Sequence, residues 1–454
     1  MRIIIVGCGK VGETIISRLV DEGHDIAVVD VDSKVINDVT NSYDVMGVVG
    51  NGASYSVLKE AGIEDMDLMI AVTDSDELNL LSCLFAKKAG NCSTIARIRN
   101  PEYYSELGFI KEELGLSLTI NPEYAAASEI ARLLRFPSAI KIDVFAKGRV
   151  ELLQFVIPQG SILDGISLID LRKKIKAEVL VCAVQRGEQV EIPNGASVLH
   201  AGDTISIIAQ HNHAKNFFKK IGVETHGVKN TMIVGGGKIA YYLARNLMSH
   251  GIDVKIIDND MTRCAELSDL LPGAIIIGGD GTDHDLLMEE GIDTCESFVT
   301  LTGIDEENVF LSLFAQQQNP DAKIVTKTNR NTIDSIIGKF HLGSMIHPKN
   351  ITAEYILRYV RAMENSIGSN METLYYIAED KVEAMEFTVR GDAPVINTPL
   401  AELKTKSGVL IAAIIRDGQM FLPGGQSMIE VGDSVIVVTT RQGFSDIRDI
   451  LQEN

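Results

Sequence analysis

The 454-residue chain has no tryptophan, and aromatic residues make up only 6% of it. Its six cysteines (Cys8, Cys83, Cys92, Cys182, Cys264 and Cys295) are scattered, with no C-x-x-C pair and no nearby histidine. That excludes a zinc ribbon and a disulfide scaffold, and the thiols read as small apolar fillers in a reducing compartment. No apolar run approaches the ~18 residues of a spanning helix; the longest, such as 3–6 and 410–415, have the length of buried strands. The N-terminus lacks a basic segment followed by an apolar stretch and a cleavage site, so no secretory signal is expected. Positive charge is also scarce. With 42 Lys and Arg against 62 Asp and Glu, the net charge of −20 argues against a nucleic-acid backbone as partner. It does not argue against a membrane protein, whose cytoplasmic loops tend to be basic. The length suffices for three or four domains.

What is present begins at the first residues. Ile3-Ile4-Ile5-Val6 is too short for a helix and suits a buried parallel strand. Gly7, Gly9 and Gly12 follow in G-x-G-x-x-G spacing, with Cys8, Lys10 and Val11 between them. An amphipathic helix is expected from Val11 to Leu19, and a second strand, 26–29, ends on Asp30. The glycines serve a tight turn, close approach to a pyrophosphate and close helix–strand packing, while the helix offers free N–H groups to phosphate. Asp30 is placed to take the ribose hydroxyls. Lys10 opposes the helix dipole, which makes it unfavourable there without an anion.

The alternation of strands and helices continues. Ser33 is placed to cap a helix to about Thr40, 45–49 reads as a strand, and Gly50-Asn51-Gly52-Ala53 turns into a helix from Ser54 to Ala61. A strand at 68–72 ends at Thr73-Asp74, a helix runs from Asp76 to Ala89, and a strand spans 94–98. Asn121-Pro122-Glu123 starts a further helix. This predicts a doubly wound parallel sheet whose strand ends bring Gly7, Asp30, Asn51, Thr73 and Arg97 together. From Ala139 short strands at 141–145, 151–156, 179–184 and 204–209 predict a small β-rich domain, with helices at 168–175 and 214–221. Residues 224–230 read as a linker.

The plan then repeats at a nearly constant offset, 228 residues at the glycine turn and its acid. Gly235, Gly237 and Ala240 follow a strand in G-x-G-x-x-A form, with Lys238 and Ile239 in the places of Lys10 and Val11, and Asp258 in that of Asp30. Gly279-Asp280-Gly281-Thr282 echoes 50–53, Asp305-Glu306-Glu307-Asn308 echoes 76–79, and His347-Pro348-Lys349 echoes 121–123. The small domain repeats in Pro423-Gly424-Gly425 and Gly432-Asp433. A duplicated architecture follows. The fold class is α/β: two tandem Rossmann-like doubly wound parallel-sheet domains, each followed by a small β-rich α+β domain, with expected bounds 1–136, 137–223, 230–362 and 370–454.

These motifs, in this order and with Ile95-Ala96-Arg97-Ile98-Arg99-Asn100 between them, resemble RCK (KTN) domains over essentially the full chain. Such domains regulate potassium conductance. The resemblance implies a peripheral cytosolic gating subunit on a membrane potassium-conducting partner of the TrkH or TrkG kind. It implies a ring, usually a homotetramer, that changes shape on binding NAD(H), ATP or ADP. Carried over, Gly7, Gly9, Lys10 and Val11 line the phosphates, Asp30 holds the ribose, Asn51 and Ala53 approach the adenine, and Thr73 and Asp74 lie over the strand ends. Arg97 reaches phosphate, with Arg99 as the second choice, and Glu123 falls where related domains offer a carboxylate to a cation. In the second copy Gly235, Gly237, Lys238, Ile239, Asp258, Asp280 and Thr302 take the matching places. Lys349 stands in place of Glu123, which disfavours a cation there, and Lys327 replaces the arginine. The first site is expected to suit a triphosphate better.

Each residue also has a plainer reading. Asp32 and Asp260 are expected to cap helices rather than touch ligand. Thr73 and Thr302 serve equally as strand-end hydroxyls, and Arg97 has an ion pair with Glu77 as its alternative to phosphate. Acidic residues around the ribose positions disfavour a 2′-phosphate and hence NADP. No catalytic constellation is evident, and His200, His211 and His213 have no counterparts in the second small domain. The leading expectation is therefore a ligand-sensing regulator. A nicotinamide-dependent oxidoreductase, or a regulator of another channel or an antiporter, is the alternative.

Overall fold

The computed structural model describes residues 1–90, 92–101, 103, 106–137, 139–175, 178–223, 227–330, 343–365, 371–378, 381–391, 393–444 and 446–452. The chain forms two compact units. One comprises Met1–Ile130, Met232–Pro320 and Val325–Val360; the other comprises Ala131–Thr231, Asp321–Ile324 and Arg361–Asn454.

The first unit is built on two parallel six-stranded sheets. The first has β1 (Arg2–Val6), β2 (Asp25–Asp30), β3 (Met46–Val49), β4 (Leu68–Ala71), β5 (Ser93–Arg97) and β6 (Leu118–Ile120) in the order β3-β2-β1-β4-β5-β6. The order reverses beside β1, which creates a crevice at the strand ends. Ile3, Ile4 and Ile5 are fully buried, as an apolar run in a central parallel strand requires. Helices α1 (Lys10–Asp21), α2 (Ser33–Ser42), α3 (Tyr55–Glu60), α4 (Asp76–Ala89), α5 (Leu107–Leu114) and α6 (Pro122–Arg135) connect and flank the strands. Helix α5 and strand β6 complete the lobe without a clear sequence signal, because both are short and only partly buried. The cap of α2 is Asp32, which accepts the Lys34 amide at 2.8 Å, and not Ser33, which is the first helical residue. A carboxylate adds dipole compensation to the hydrogen bond, so the acid holds that place.

After the five strands and two helices of the first small domain, the second parallel sheet uses β12 (Asn230–Val234), β13 (Asp253–Asp258), β14 (Ile275–Gly278), β15 (Ser297–Thr300), β16 (Lys323–Lys327) and β17 (Ser344–Ile346). Its order, β14-β13-β12-β15-β16-β17, is that of the first. Asn230, expected in a linker, opens β12; residues 224–226 of that segment lie outside the described residues. Helices α9 (Lys238–Ser249), α10 (Met261–Leu270), α11 (His284–Glu289), α12 (Asp305–Gln318) and α13 (Pro348–Asn365) repeat the helical frame. The two sheets' lobes touch within this unit: the Asn121 amide donates to the Tyr242 hydroxyl at 3.0 Å, and Tyr124 meets the Tyr242 ring edge-on at 5.7 Å.

The second unit holds two antiparallel sheets. One contains β7 (Lys141–Phe145), β8 (Val150–Val156), β9 (Leu180–Arg186), β10 (Gln189–Glu191) and β11 (Thr204–Ala209), with helices α7 (Leu168–Ile175) and α8 (His211–Lys220). The other contains β18 (Met371–Ile377), β19 (Val382–Thr388), β20 (Val409–Arg416), β21 (Gln419–Phe421) and β22 (Ser434–Thr439). They share one core, in which Phe145, Leu152 and Cys182 pack with Tyr375, Ile377 and Ile436. The Tyr375 hydroxyl donates to the Val144 carbonyl at 2.8 Å, and the buried Glu386 accepts the Ala146 amide at 3.0 Å. Among the described residues no helix is long and apolar enough to cross a membrane.

Candidate nucleotide site

The turn after β1 is sterically determined. Gly7 has φ +95°, a region in which a side chain is strained, and a Cβ there would lie 2.8 Å from the Thr73 amide. A Cβ on Gly12 would lie 2.0 Å from the Gly7 carbonyl, so only hydrogen fits between turn and helix. Helix α1 begins at Lys10 from an extended Gly9 and has no side-chain cap, whereas α2 is capped by an acid. Its first amides therefore stay available to an anion at the positive end of the helix. The second lobe repeats this: α9 begins at Lys238 after an uncapped Gly237, Ile239 follows in its first turn, and α10 is capped by Asp260.

A cavity of about 770 Å³ opens at the ends of the first sheet's strands. Of the expected residues, Gly7, Gly9, Lys10, Val11, Asp30, Thr73, Asp74, Arg97 and Glu123 line it, as does Arg99. Val29, Val31 and Val35 give it an apolar wall beside Asp30, and Asp32 reaches its edge. Asn329, Pro348 and Lys349 of the second lobe line the same cavity, which the sequence reading missed. The pairing of Pro122-Glu123 with Pro348-Lys349 across the repeat is the signal that was there to find.

Cys8, Gly12, Asn51 and Ala53 do not line the cavity. Cys8 points into the core, where burial, reinforced by Asp30, pushes its thiol up to about 12. Asn51 accepts the Ala53 amide at 2.9 Å, and Asp280 accepts the Thr282 amide and hydroxyl at 2.8 Å each; both side chains fasten their own turns.

Asp30 accepts the Cys8 amide at 2.8 Å and the Asp32 amide at 3.0 Å; Asp258 accepts the Gly236 amide at 2.5 Å and the Asp260 amide at 2.9 Å. A carboxylate has capacity beyond two such bonds, so each acid holds the turn and keeps lone pairs for a hydroxyl.

Arg97 does not pair with Glu77. It is buried and donates to the Thr73 carbonyl at 2.6 Å and to Asp74 at 2.8 Å. Glu77 accepts instead from the Ser75 hydroxyl and from the Tyr103 hydroxyl, each at 2.8 Å. Among the described residues Arg97 Nε has no partner. Arg99 Nε donates to Glu123 Oε1 at 2.6 Å, and Glu123 Oε2, buried, has no partner among the described residues. A guanidinium against Glu123 competes with any cation for that carboxylate, and no group of three metal-ligating side chains occurs among the described residues.

Two buried residues in each lobe organise the strand ends and were not recognised as such. Asn79 accepts the Thr73 amide at 2.8 Å and donates to the Arg97 carbonyl at 2.9 Å; Asn308 repeats this with Thr302 and Lys327 at 2.9 and 3.1 Å. Asp76 accepts the Arg99 and Asn100 amides, as Asp305 does those of Asn329 and Arg330. Lys327 donates to the Thr302 carbonyl at 2.7 Å. Burial lowers its ammonium's pKa, Asp305 opposes the shift, and Lys10 of the first lobe adds to it.

The comparisons with known proteins fit this frame. The TrkA-N domain model matches residues 3–122 and 231–348, and the TrkA-C domain model matches 152–222 and 384–452. The chain belongs to the TrkA family. A Trk system potassium uptake protein TrkA homolog of Archaeoglobus fulgidus is 31% identical, with all of both chains covered. The TrkA of Haemophilus influenzae is 30% identical over all of this chain and 99% of its own. Among solved structures the GsuK channel shares the tandem RCK fold, with a TM-score of 0.64 at 17% identity over 96% of this chain and 76% of that one. A GsuK channel bound to NAD has a TM-score of 0.63 at 17% identity, with the same coverage. The fold expected of a TrkA family member, two Rossmann-like sheets and two β-rich sheets, is the one observed.

Proposed function

We propose that the chain is the cytosolic, membrane-peripheral regulatory subunit of a potassium-uptake system, binding NAD(H) or adenine nucleotides and biasing a pore by a change of shape. The observation that carries this reading is the first cavity. An uncapped helix end, a glycine turn, a ribose-facing acid and cations from two lobes meet on one space large enough for a nucleotide. The family membership supplies the physiological setting. The potassium-conducting partner is of the TrkH or TrkG kind, and the working form is a ring, a homotetramer.

In the first lobe Gly7, Gly9, Lys10 and Val11 face the phosphates, Asp30 the ribose, and Thr73, Asp74 and Arg97 the strand-end side of the ligand. Cys8, Gly12, Asn51 and Ala53 act from behind, by shaping the turns. In the second lobe Gly235, Gly237, Lys238, Ile239, Asp258, Asp280, Thr302 and Lys327 correspond. A cation at Glu123 requires Arg99 to release that carboxylate. Regions 1–136, 137–223, 230–362 and 370–454 act as four lobes.

Because Lys349 belongs to one lobe while Lys10, Arg97 and Arg99 belong to the other, a polyphosphate in the first cavity interacts with both. A ligand with such differential contacts shifts a two-state equilibrium by the difference in its affinities for the states. Calorimetric titration with NADH, NAD, ATP and ADP, with NADH absorbance followed in parallel, tests the reading. Binding without absorbance loss supports it; steady NADH consumption with a carbonyl substrate overturns it in favour of an oxidoreductase.

A further inference from the structure

The two lobes also differ beside the acid that ends the second strand of each sheet. In the first, Val35 lies five residues beyond Asp30, in α2, and lines the apolar side of the cavity. In the second, the residue five beyond Asp258, in α10, is Arg263. Its Nε donates to the Gly236 carbonyl of the glycine turn at 2.8 Å, and its Nη1 pairs with Glu266 at 2.9 Å. The turn it rests on is itself held by Asp258, through the Gly236 amide. A guanidinium thus lies beside the acid that corresponds to Asp30, with a quarter of its side chain exposed.

We propose that Arg263 is the base-reading residue of the second lobe: the purine ring of a nucleotide whose ribose is held by Asp258 stacks on its guanidinium. This rests on the nucleotide reading given above and adds the chemistry that separates the two lobes. A planar, delocalised, weakly hydrated cation is matched by an aromatic π face. An added anion at the same place would sit among the carboxylates of Asp258, Asp260 and Glu266, which oppose it. A purine ring satisfies the guanidinium without meeting that opposition. Val35 offers dispersion and area burial only, so the first lobe is less selective for the base. The second lobe is accordingly the more stringent purine reader, and the first depends more on its ligand's phosphates.

The test uses the full-length chain with Asp30→Ala to weaken the first cleft, so that the tighter binding reports the second lobe, and two probes, ADP and the base-free ribose 5-diphosphate. Arg263→Val is expected to weaken ADP about fivefold to tenfold, the worth of one cation–π contact, and to leave ribose 5-diphosphate within twofold. Arg263→Gln, which keeps a donor for the Gly236 carbonyl without the cation, is expected to behave as Arg263→Val does. Equal weakening of both probes by Arg263→Val, or restoration of ADP binding by Arg263→Gln, makes the residue a support of the turn and overturns the proposal. Unchanged ADP affinity in both variants overturns it as well. The two readings fail separately. If the unaltered chain binds no adenine nucleotide, the nucleotide reading falls; if it binds but the Asp30→Ala chain does not, only the assignment of Arg263 falls.

Discussion

The Asp30 carboxylate grips the glycine turn: it takes the Cys8 amide at 2.8 Å, and its other oxygen takes the Asp32 amide at 3.0 Å. One side chain therefore shapes the glycine turn and, in the function proposed above, presents an acid to the ribose. Removing it costs a charge-assisted hydrogen bond of about 1.5–3 kcal/mol in the complex. Asp30→Ala is expected to weaken adenine nucleotide binding in the first cleft about tenfold to a hundredfold, read by calorimetry. Wild-type affinity in this variant contradicts the assignment.

Arg97 and Arg99 divide their tasks by burial. Arg97 is 6% exposed and braces the Thr73 carbonyl and Asp74, whereas the Arg99 side chain is about one-third exposed. Arg97→Ala removes a buried guanidinium and its bonds to Asp74 and to the Thr73 carbonyl, which keeps only the Asn79 amide at 3.1 Å, and is expected to destabilise the first unit by about 2 kcal/mol. Arg99→Ala combined with Glu123→Gln removes the neighbouring pair together, leaves no buried charge unpaired, and is expected to cost at most about 1 kcal/mol. Urea unfolding of the two variants checks the order, and a larger loss for the Arg99→Ala/Glu123→Gln chain contradicts it.

Lys323 makes stability depend on pH. Its ammonium is buried, donates to the Ala139 carbonyl at 2.5 Å, and has its pKa pushed down by burial to about 7. The unfolded chain holds this proton more tightly, with an ordinary value near 10.5. The penalty is therefore full below pH 7, shrinks as pH rises from 7 to 10.5, and is gone above that. Lys323→Met is expected to raise the unfolding midpoint most at pH 6, by about 2–4 kcal/mol in stability, with the gain fading by pH 10. A gain that grows with pH contradicts the sign.

All six thiols are buried. Burial pushes Cys182 up to about 12 and Cys295 to about 11, beside the value of about 12 at Cys8. Since the thiolate is the reactive form, a chromogenic disulfide reagent at pH 7.5 is expected to label the native chain slowly and all six thiols after denaturation. Fast native labelling contradicts this burial.

Sequence alone carried the fold where hydrophobic period and glycine spacing carried it. The isoleucines of β1, the acid closing β2 and the 228-residue repeat each fix an element whose burial leaves little choice. It was silent on α5, β6 and the three-residue β10, which are short and partly exposed. It named most of the first cleft, because Gly7, Asp30 and Arg97 sit at strand ends that topology brings together. It could not place Lys349 on the cavity that Glu123 lines, because that cavity is walled by both repeats rather than by one. Nor could it tell that Asn51 and Asp280 spend their side chains on their own turns, since an Asx turn and a ligand contact use the same residue types. The choice of Asp74 over Glu77 by Arg97 turned on where Ser75 and Tyr103 hold the glutamate.

The central claim is that nucleotide in these clefts controls potassium movement. The most direct measurement is potassium flux into vesicles carrying a TrkH-type membrane subunit, with the chain added alongside NADH, ATP or ADP. The account predicts a flux that changes with the nucleotide and a response that disappears when Asp30 and Asp258 are both replaced by alanine. A flux indifferent to nucleotide while the chain remains bound to the vesicles would contradict it.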